Sequence, residues 1–378
     1  MATNNMSMFD DLSAANIASY WMTRQQQEAP YLGDVLFPST KQTSSHVEFY
    51  KGLTRAAKPL APSAMDAQAI VRDRQGFDKI GVDTGFFKEA KYLDESLRRE
   101  LLNVAASSDQ ARQDIILSRI FDDSSELLRG AALTREIARM GLLTAGKFTL
   151  AGNGQSYTVD YGMDAKHQAK ASNANWRQTG SNPFDDIRAA IDTIGTDTGS
   201  TLTRAVMNRA TFMALLSNDT VKSTLLANNA NTSAVSLPLS VLTGYMQDEF
   251  GIAVQVYDKG YTDASGNFVH FIDDGLVSFL PDGDLGQTVF SPTSEEVDLA
   301  YDPTASVSLV DTGVAVATYR KQDPVTVETK VSQAFVPTFE QIDSVYVLDA
   351  FHYTGTGSTT STSSSSTSSS TTSSSSSK

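Results

Sequence analysis

The clearest helical pattern in the chain lies between Asp109 and Leu143. Apolar residues recur there at intervals of three and four, the spacing that places them on one side of an α-helix. They are Ile115, Ile116, Ile120, Leu127, Leu128, Ala131, Ile137 and Met140. A continuous helix over this run would be ~50 Å long. Asp123 and Glu126 have the spacing of a capping box, so a helix that restarts after Phe121 is a second interpretation.

The sequence before this helix predicts two extended segments. A short helix over 13–27, with Ser13 as its N-cap, leads into an arm in which Pro30 and Pro38 interrupt any regular element. Residues 41–93 then form a long β excursion with no visible core of its own. Its predicted strands are 46–50, 68–72 and 85–93. The excursion exposes sheet edges unless another subunit covers them, which favours a lattice subunit whose arm and loop lie on neighbours.

The rest of the chain mixes helices and strands. Residues 147–162 form a hairpin around Gly152-Asn153-Gly154, and Asn182 and Pro183 begin a helix whose first turn carries two acidic residues that suit the helix dipole. Strands dominate the last third. Alternating βαβ units are absent, which excludes Rossmann and TIM-barrel folds. We predict an α+β fold with a mixed or antiparallel sheet and one long helix.

Charge and composition exclude several classes of function. The net charge is −14, and residues 151–378 hold 12 Lys and Arg against 25 Asp and Glu. Without a basic stripe the chain is a poor candidate for sequence-specific binding to DNA or RNA, because neutralising phosphates supplies most of that affinity. No run of about 20 apolar residues predicts a membrane span. The N-terminus lacks the pattern of a signal peptide, and the absence of Cys suits a reducing cytosol.

The C-terminal end has a composition that cannot fold. Residues 358–377 are only Ser and Thr, followed by Lys378. A tract without apolar side chains cannot offset its ordering entropy, so 352–378 is predicted to be a disordered tail. A glycosylated stalk would require export, for which we find no signal.

The residues suggest no catalytic chemistry. The four histidines are not at metal-binding spacings, and the adjacent acidic pairs occur at helix starts and turns, where capping explains them. A P-loop and a Gly-x-Ser-x-Gly elbow are absent. We therefore predict a protein that is not an enzyme, with no catalytic residues, no cofactor and no metal site.

Five stretches follow one another in a defined order along the chain. The entry to the β excursion is YLGDVLFPSTKQTSSHVEFY, and its return is AIVRDRQGFDKIGVDTGFFKEAKYLDE. The long helix and the following hairpin are RQDIILSRIFDDSSELLRGAALTREIARMGLLTAGKFTL. Two later stretches are NWRQTGSNPFDDI and IAVQVYDKGYTDASGNFVHFIDDGLVSFLPDGDLGQTVF. In this order they resemble the lambda-type major capsid protein E family of tailed phages, over roughly residues 28–350.

This resemblance implies a Hong Kong 97-like capsid fold with a defined order of parts. It begins with an N-terminal arm and an extended E-loop, and it continues with a peripheral domain that contains the long spine helix. An axial domain, the return strands of the peripheral domain and the tail follow. The expected bounds are 1–40, 41–93, 94–204, 205–310, 311–351 and 352–378.

The family implies that copies of the chain assemble as pentamers and hexamers of an icosahedral head enclosing double-stranded DNA, without sequence-specific binding. Scaffold protein and portal are the expected partners during assembly in the host cytoplasm, and a decoration protein is an optional one. The mature location is the virion. Two alternatives stay open at this point: a secreted or surface adhesive β-rich protein with a Ser/Thr stalk, and an acidic hydrolase with carboxylates on the 260–300 loops.

The loop has a charge opposite to that of the whole chain. The segment 41–91 holds nine Lys and Arg against six Asp and Glu. We therefore expect its basic side chains to dock on acidic surface of an adjacent subunit, and its phenylalanines to find their core there. The candidate contact residues are Arg72, Arg74, Phe77, Lys79, Phe86, Phe87 and Lys88.

Overall fold

The structure, a computed structural model, describes residues 13–25, 29–51, 78–93, 110–226, 237–301, 306–323 and 325–353, with the single positions 62, 65, 68, 95, 96 and 99. Its helices are α1 Ala14–Gln25, α2 Leu32–Leu36, α3 Gln110–Ala145, α4 Pro183–Asp197, α5 Arg209–Ser217, α6 Asp219–Leu225, α7 Leu239–Phe250 and α8 Ser294–Tyr301. Short 3-10 turns occur at Ala165–His167 and Ile342–Ser344.

The strands divide between two larger sheets and three separate hairpins. They are β1 Ser39–Lys41, β2 His46–Lys51, β3 Asp78–Asp83, β4 Gly85–Leu93, β5 Lys147–Gly152, β6 Gln155–Asp160, β7 Gln168–Ala171, β8 Arg204–Met207, β9 Ala253–Val256, β10 Gly260–Thr262, β11 Phe268–His270, β12 Leu276–Leu280, β13 Thr288–Ser291, β14 Val307–Val310, β15 Val314–Gln322, β16 Val325–Pro337 and β17 Tyr346–Tyr353.

The first sheet forms one core with the long helix and the arm. Its order is β1-β13-β16-β15-β14, and β4 pairs with β16 beside this path. Residues 327–333 of β16 pair with both β15 and β4, so these two strands lie on opposite edges of β16. Helix α3 packs on this sheet, and Met140, Phe290 and Phe335 are among the side chains buried between them. We call this region the first core.

The second sheet forms a separate hydrophobic core with helices α4 to α7. Its order is β7-β17-β12-β8-β9, with the outer pairs parallel and the inner pairs antiparallel. Trp176, Leu215 and Phe279 lie at its centre. We call this region the second core. The mixed sheet that the sequence predicted is present.

The two cores divide the chain differently from the predicted bounds. Strand β17 belongs to the second sheet and not to the first, whereas β13 and β14, inside the predicted range 205–310, belong to the first. Helix α4, inside 94–204, packs in the second core. Sheets join strands that are remote in sequence, so bounds drawn along the chain from a family resemblance do not show these exchanges.

Asp186 of α4 is buried, although the sequence placed it on a solvated helix start. Its Oδ2 accepts a hydrogen bond from Trp176 Nε1–H at 2.8 Å, and its Oδ1 accepts from the backbone N–H of Ser172 at 2.9 Å. Trp176 is fully buried. The carboxylate therefore satisfies two donors inside the second core, a role that the helix dipole alone did not predict.

The long helix is continuous, so the interpretation of a restart after Phe121 is wrong. Helix α3 runs from Gln110 to Ala145 without a break, which makes it ~54 Å long. Asp123 and Glu126 do not cap a second helix. Both carboxylates face Lys91 of β4, which forms an ion pair with Glu126 and lies 3.6 Å from Asp123.

The arm is folded against its own chain, which corrects the predicted extended arm. Helix α1, predicted over 13–27, buries Ile17 and Trp21 in the first core. Helix α2 follows, and β1 then pairs in parallel with β13. Pro30 and Pro38 lie two residues outside the ends of α2, where proline does not interrupt a helix.

Candidate subunit-contact site

Strand β4 lies at an open edge of the first sheet. Within the described residues its only strand partner is β16, so the other edge of β4 has no paired backbone there. Alternation along the strand puts Phe86, Lys88, Ala90 and Tyr92 on one side, and all four are exposed. Phe86 is 46% exposed and Tyr92 is 59% exposed. An edge strand with exposed aromatic side chains is a surface suited to pairing with another chain.

The register extends this exposed face across the sheet. Tyr92 lies opposite Glu328, which in turn lies opposite Tyr319 on β15. Lys321 forms an ion pair with Glu328 at 2.8 Å and lies over the ring of Tyr92 at 4.7 Å. Lys88 lies 5.7 Å from the ring centroid of Phe86. The face therefore combines aromatic rings with cations.

Phe87 points the other way and packs inside its own chain. Its ring lies 5.2 Å from that of Phe335 and 6.0 Å from that of Tyr157. The expected core on a neighbour is therefore supplied for Phe87 by the first core of the same subunit. A single residue step along β4 separates this packed ring from the exposed ring of Phe86.

The hairpin β2–β3 carries Lys79 on its outward side. Lys79 forms an ion pair with Glu48 across the hairpin at 2.6 Å, and this pair raises the pKa of Lys79. Its charge is therefore already partnered within the subunit. Three further candidates, Arg72, Arg74 and Phe77, lie outside the described residues, as does nearly all of the predicted strand 68–72.

The inward side of the same hairpin is fixed to the first core. Val47 and Phe49 are buried, and the Phe49 ring packs edge-on against Tyr161 at 5.1 Å. Lys51, the last residue of β2, donates hydrogen bonds to the backbone carbonyls of Tyr161 at 3.1 Å and Gly162 at 2.7 Å.

A cluster around two buried charges, those of Glu136 and Arg139, holds the arm against the long helix, and we call it the arm clasp. It consists of Gly33 and Asp34 on α2, Glu136 and Arg139 on α3, and Tyr257 after β9. Glu136 Oε1 accepts hydrogen bonds from Gly33 N–H at 3.2 Å and from Tyr257 O–H at 2.7 Å. Arg139 donates to Asp34 and, through Nε, to Thr288 Oγ1 at 2.8 Å. The clasp therefore connects the arm, the long helix and β13.

Burial sets the electrostatics of the clasp. Glu136 and Arg139 are both 0% exposed. Burial raises the pKa of Glu136 above 4.5, although the hydrogen bond from Tyr257 and the charge of Arg139 act to lower it. Burial and the neighbouring Glu136 also raise the pKa of Tyr257. A protonated Glu136 leaves the two guanidiniums of Arg135 and Arg139 balanced by Asp311 and Asp34.

Sequence reasoning did not single out the clasp. Arg135, Glu136 and Arg139 interrupt the apolar spacing of the long helix between Ala131 and Met140, and such charges are normally placed on a solvated face. The signal that could have indicated the clasp was the presence of charged residues in the same helical turns as the apolar stripe. Their buried partners come from distant parts of the chain, which the pattern on one helix does not contain.

Two searches of the described residues give negative results. Across these ranges, no group of three or more His, Asp or Glu side chains is arranged to hold a metal ion. Among the helices described, none combines the length and apolar character of a membrane span.

Comparison with known proteins identifies the family. A family model described as phage major capsid protein E matches residues 13–349. The chain belongs to this family. It is thus a major capsid protein of a phage head and a component of the virion, and its copies assemble with one another into the shell. This confirms the prediction of a structural protein and not an enzyme, and it leaves the adhesive alternative without support.

Solved structures of a prophage capsid protein and of a phage-related protein share the fold. A prophage capsid protein from E. coli CFT073 is 15% identical, with a TM-score of 0.57, over 89% of this chain and 99% of that one. A phage-related protein from Bordetella bronchiseptica RB50 is 15% identical, with a TM-score of 0.53, over 90% of this chain and 97% of that one. The α+β, Hong Kong 97-like fold is confirmed. Among curated proteins, none matches the chain.

Proposed function

We propose that copies of this chain form the pentamers and hexamers of an icosahedral head of a tailed phage, enclosing double-stranded DNA. Assembly takes place in the host cytoplasm with a scaffold protein and a portal, and a decoration protein is an optional later partner. The observation that carries the proposal is the open edge of β4 in a chain of the capsid family. A closed shell covers such an edge with a second copy, whereas an isolated subunit leaves it exposed.

The domain assignment follows the two cores. The first core, with α3 as the spine helix, corresponds to the peripheral domain. The second core corresponds to the axial domain, with residues from β7 to β9, β12 and β17. The E-loop is the segment that leaves at Lys51 and returns at Asp78. These assignments are supported by the separation of the two buried clusters.

The contact between subunits uses the outward face of β4 and the basic part of the loop. Phe86 and Lys88 are its described members. Arg72, Arg74 and Phe77 are included because of the sequence pattern alone. Lys79 is a weaker member because Glu48 already pairs with it, and Phe87 is omitted because it packs in its own core. Exposed ion pairs contribute only about 0–1 kcal/mol each, so the charges would supply register more than affinity.

The test is assembly of variants on the two faces of β4. The wild-type chain, produced with a scaffold protein, is expected to give closed particles by negative-stain microscopy. The double variant Phe86→Ala with Lys88→Glu is expected to reduce particle yield strongly, because it removes the exposed ring and reverses the cation. Its unassembled subunit is expected to keep wild-type stability, because both side chains are exposed.

Two further variants sharpen the result. Phe87→Ala is the matched control on the inward face, and it is expected to lower the melting temperature of the subunit. Charge reversal at both Arg72 and Arg74 tests the loop separately. If the Phe86 and Lys88 variant and the Arg72 and Arg74 variant both gave normal particle yield and size, the proposed contact would be wrong. A chain that remained monomeric with scaffold present would contradict shell assembly itself.

A further inference from the structure

Lys51 occupies an inward position that the strand pattern reserves for an apolar residue. Strand β2 alternates, so Lys51 lies on the same side as Val47 and Phe49. Those two side chains are buried in the first core, and the Lys51 side chain is only 16% exposed. A lysine in this place exposes little of its charge to water, so its ammonium must find partners in the protein.

The ammonium of Lys51 donates two hydrogen bonds and has one ion-pair partner. The acceptors are the carbonyl oxygens of Tyr161 and Gly162, at 3.1 Å and 2.7 Å. The ion-pair partner is the carboxylate of Asp343, whose Oδ1 lies 3.8 Å away. These partners belong to two separate segments, the end of the β5–β6 hairpin and the 3-10 turn Ile342–Ser344. Lys51 therefore joins β2 to both.

Lys51 and its apolar neighbours constrain the hairpin in different ways. Packing of Phe49 on Tyr161 holds the hairpin against the core, but apolar contact is non-directional and tolerates a change of tilt. Hydrogen bonds weaken steeply when they bend, so the two carbonyls that accept from one ammonium fix an angle as well as a distance. Lys51 thus determines the direction of β2 at its last residue.

Lys51 is the last described residue of β2, at the base of the connection to β3. It pairs with Asp78, so the 26 residues from 52 to 77 connect the two members of this pair. The direction of β2 at Lys51 is therefore the direction in which the chain enters this connection.

We propose that Lys51 is the positioning residue that sets the direction in which the 52–77 segment leaves the subunit, and through it the curvature of the shell. This inference rests on the proposed role of that segment in contacts between copies. A subunit with an unfixed exit direction would still make those contacts, but at a range of angles. The product would be particles of several diameters, tubes or open sheets.

Lys51→Met tests the proposal, with Val47→Ala as the matched control. Methionine keeps the apolar stem of lysine and removes the ammonium. Lys51→Met particles, produced with scaffold, are expected to show a several-fold wider spread of diameters by electron microscopy. Val47→Ala removes packing from the same side of the same strand, so it is expected to lower the melting temperature and leave the diameter unchanged.

Asp343→Asn provides a second variant that does not depend on the folding of Lys51→Met. It removes the negative charge beside the Lys51 ammonium, on a partly exposed side chain. A smaller broadening of the particle diameters is therefore expected. Particles of one wild-type diameter from both variants would overturn the proposal. Folded Lys51→Met subunits that formed no particle would also overturn it, because Lys51 would then be needed for contact and not for geometry. Failure of the wild-type chain to form shells would instead contradict the proposed function.

Discussion

Substitution of Glu136 by glutamine tests whether the arm clasp holds a protonated carboxyl group. The amide is uncharged at every pH and retains an oxygen that can accept from Gly33 N–H and Tyr257 O–H, which lie 3.2 Å and 2.7 Å from Oε1. Its nitrogen replaces Oε2, which is buried without a hydrogen-bond partner and lies 3.9 Å from Arg139 Nη1. The substitution therefore removes the titration and keeps the two hydrogen bonds to Oε1, and it places an uncharged amide beside the guanidinium at every pH.

The sign of the effect follows from the direction of the pKa. Burial raises the pKa of Glu136 above 4.5, so the folded chain holds this proton more tightly than the unfolded chain. The resulting stabilisation is fully present below the ordinary pKa and is lost as the pH rises from 4.5 to the folded-state pKa. Within that window the loss is about 1.4 kcal/mol per pH unit for one proton.

Urea denaturation of the unassembled subunit measures this loss. Trp21 in α1 and Trp176 in the second core are both buried, so their fluorescence reports on the arm and on the second core. We expect the wild-type free energy of unfolding to fall relative to that of Glu136→Gln as the pH is raised above 4.5. When the two free energies of unfolding are subtracted, the contribution of every group whose titration the substitution leaves unchanged cancels.

Glu126→Gln, on the same helix, is the control. Lys91 lowers the pKa of the exposed Glu126, so its contribution is lost only as the pH falls, and no drift is expected between about pH 5 and pH 8. A constant difference between wild type and Glu136→Gln across that range would refute the reasoning, because Glu136 would then be ionised in the folded chain throughout.

Three further substitutions test the clasp, the second core and the ion pairs of β4. Gly33→Ala would place a methyl group against the buried side chain of Arg139, and a loss of about 1–3 kcal/mol is expected in urea denaturation. Asp186→Ala would leave the indole N–H of Trp176 without its acceptor, and a loss of about 1–3 kcal/mol, with a shift of tryptophan emission, is expected. Lys91→Met removes ion pairs with two carboxylates that are mostly exposed, so a loss of at most about 1 kcal/mol is expected in the same assay. A larger loss would contradict the conclusion that these are ordinary surface ion pairs.

The regular elements with strong local patterns could be predicted from the sequence. The long helix was expected over 109–143 and extends over Gln110–Ala145, and β4 has the predicted bounds of 85–93. In the hairpin β5–β6 the predicted glycine-rich turn is present, with positive φ at Asn153 and Gly154. In each case the signal lies within the element, as apolar spacing or turn residues.

Features that depend on distant partners could not be predicted in this way. The two prolines that flank α2 suggested an extended arm. The sequence does not show that Leu36 and Phe37 are buried in the first core, where the ring of Phe37 lies 5.7 Å from that of Phe339. The candidate site shows the same limit. Alternation in β4 separates Phe86 from Phe87, but only the sheet reveals which of the two rings faces the first core.

The arm clasp and Lys51 attach the arm and the base of the loop to the same first core. Glu136 and Arg139 fix the arm to the first core, and Lys51 fixes the base of the loop to Tyr161, whose O–H donates to Pro337 at the end of β16. The second core has its own buried cluster, whereas Tyr257, in the segment after β9, packs in the first core and donates to Glu136 of the clasp. Changes at the first core should therefore alter how copies meet, whereas changes deep in the second core, such as Asp186→Ala, should act mainly on the stability of the subunit.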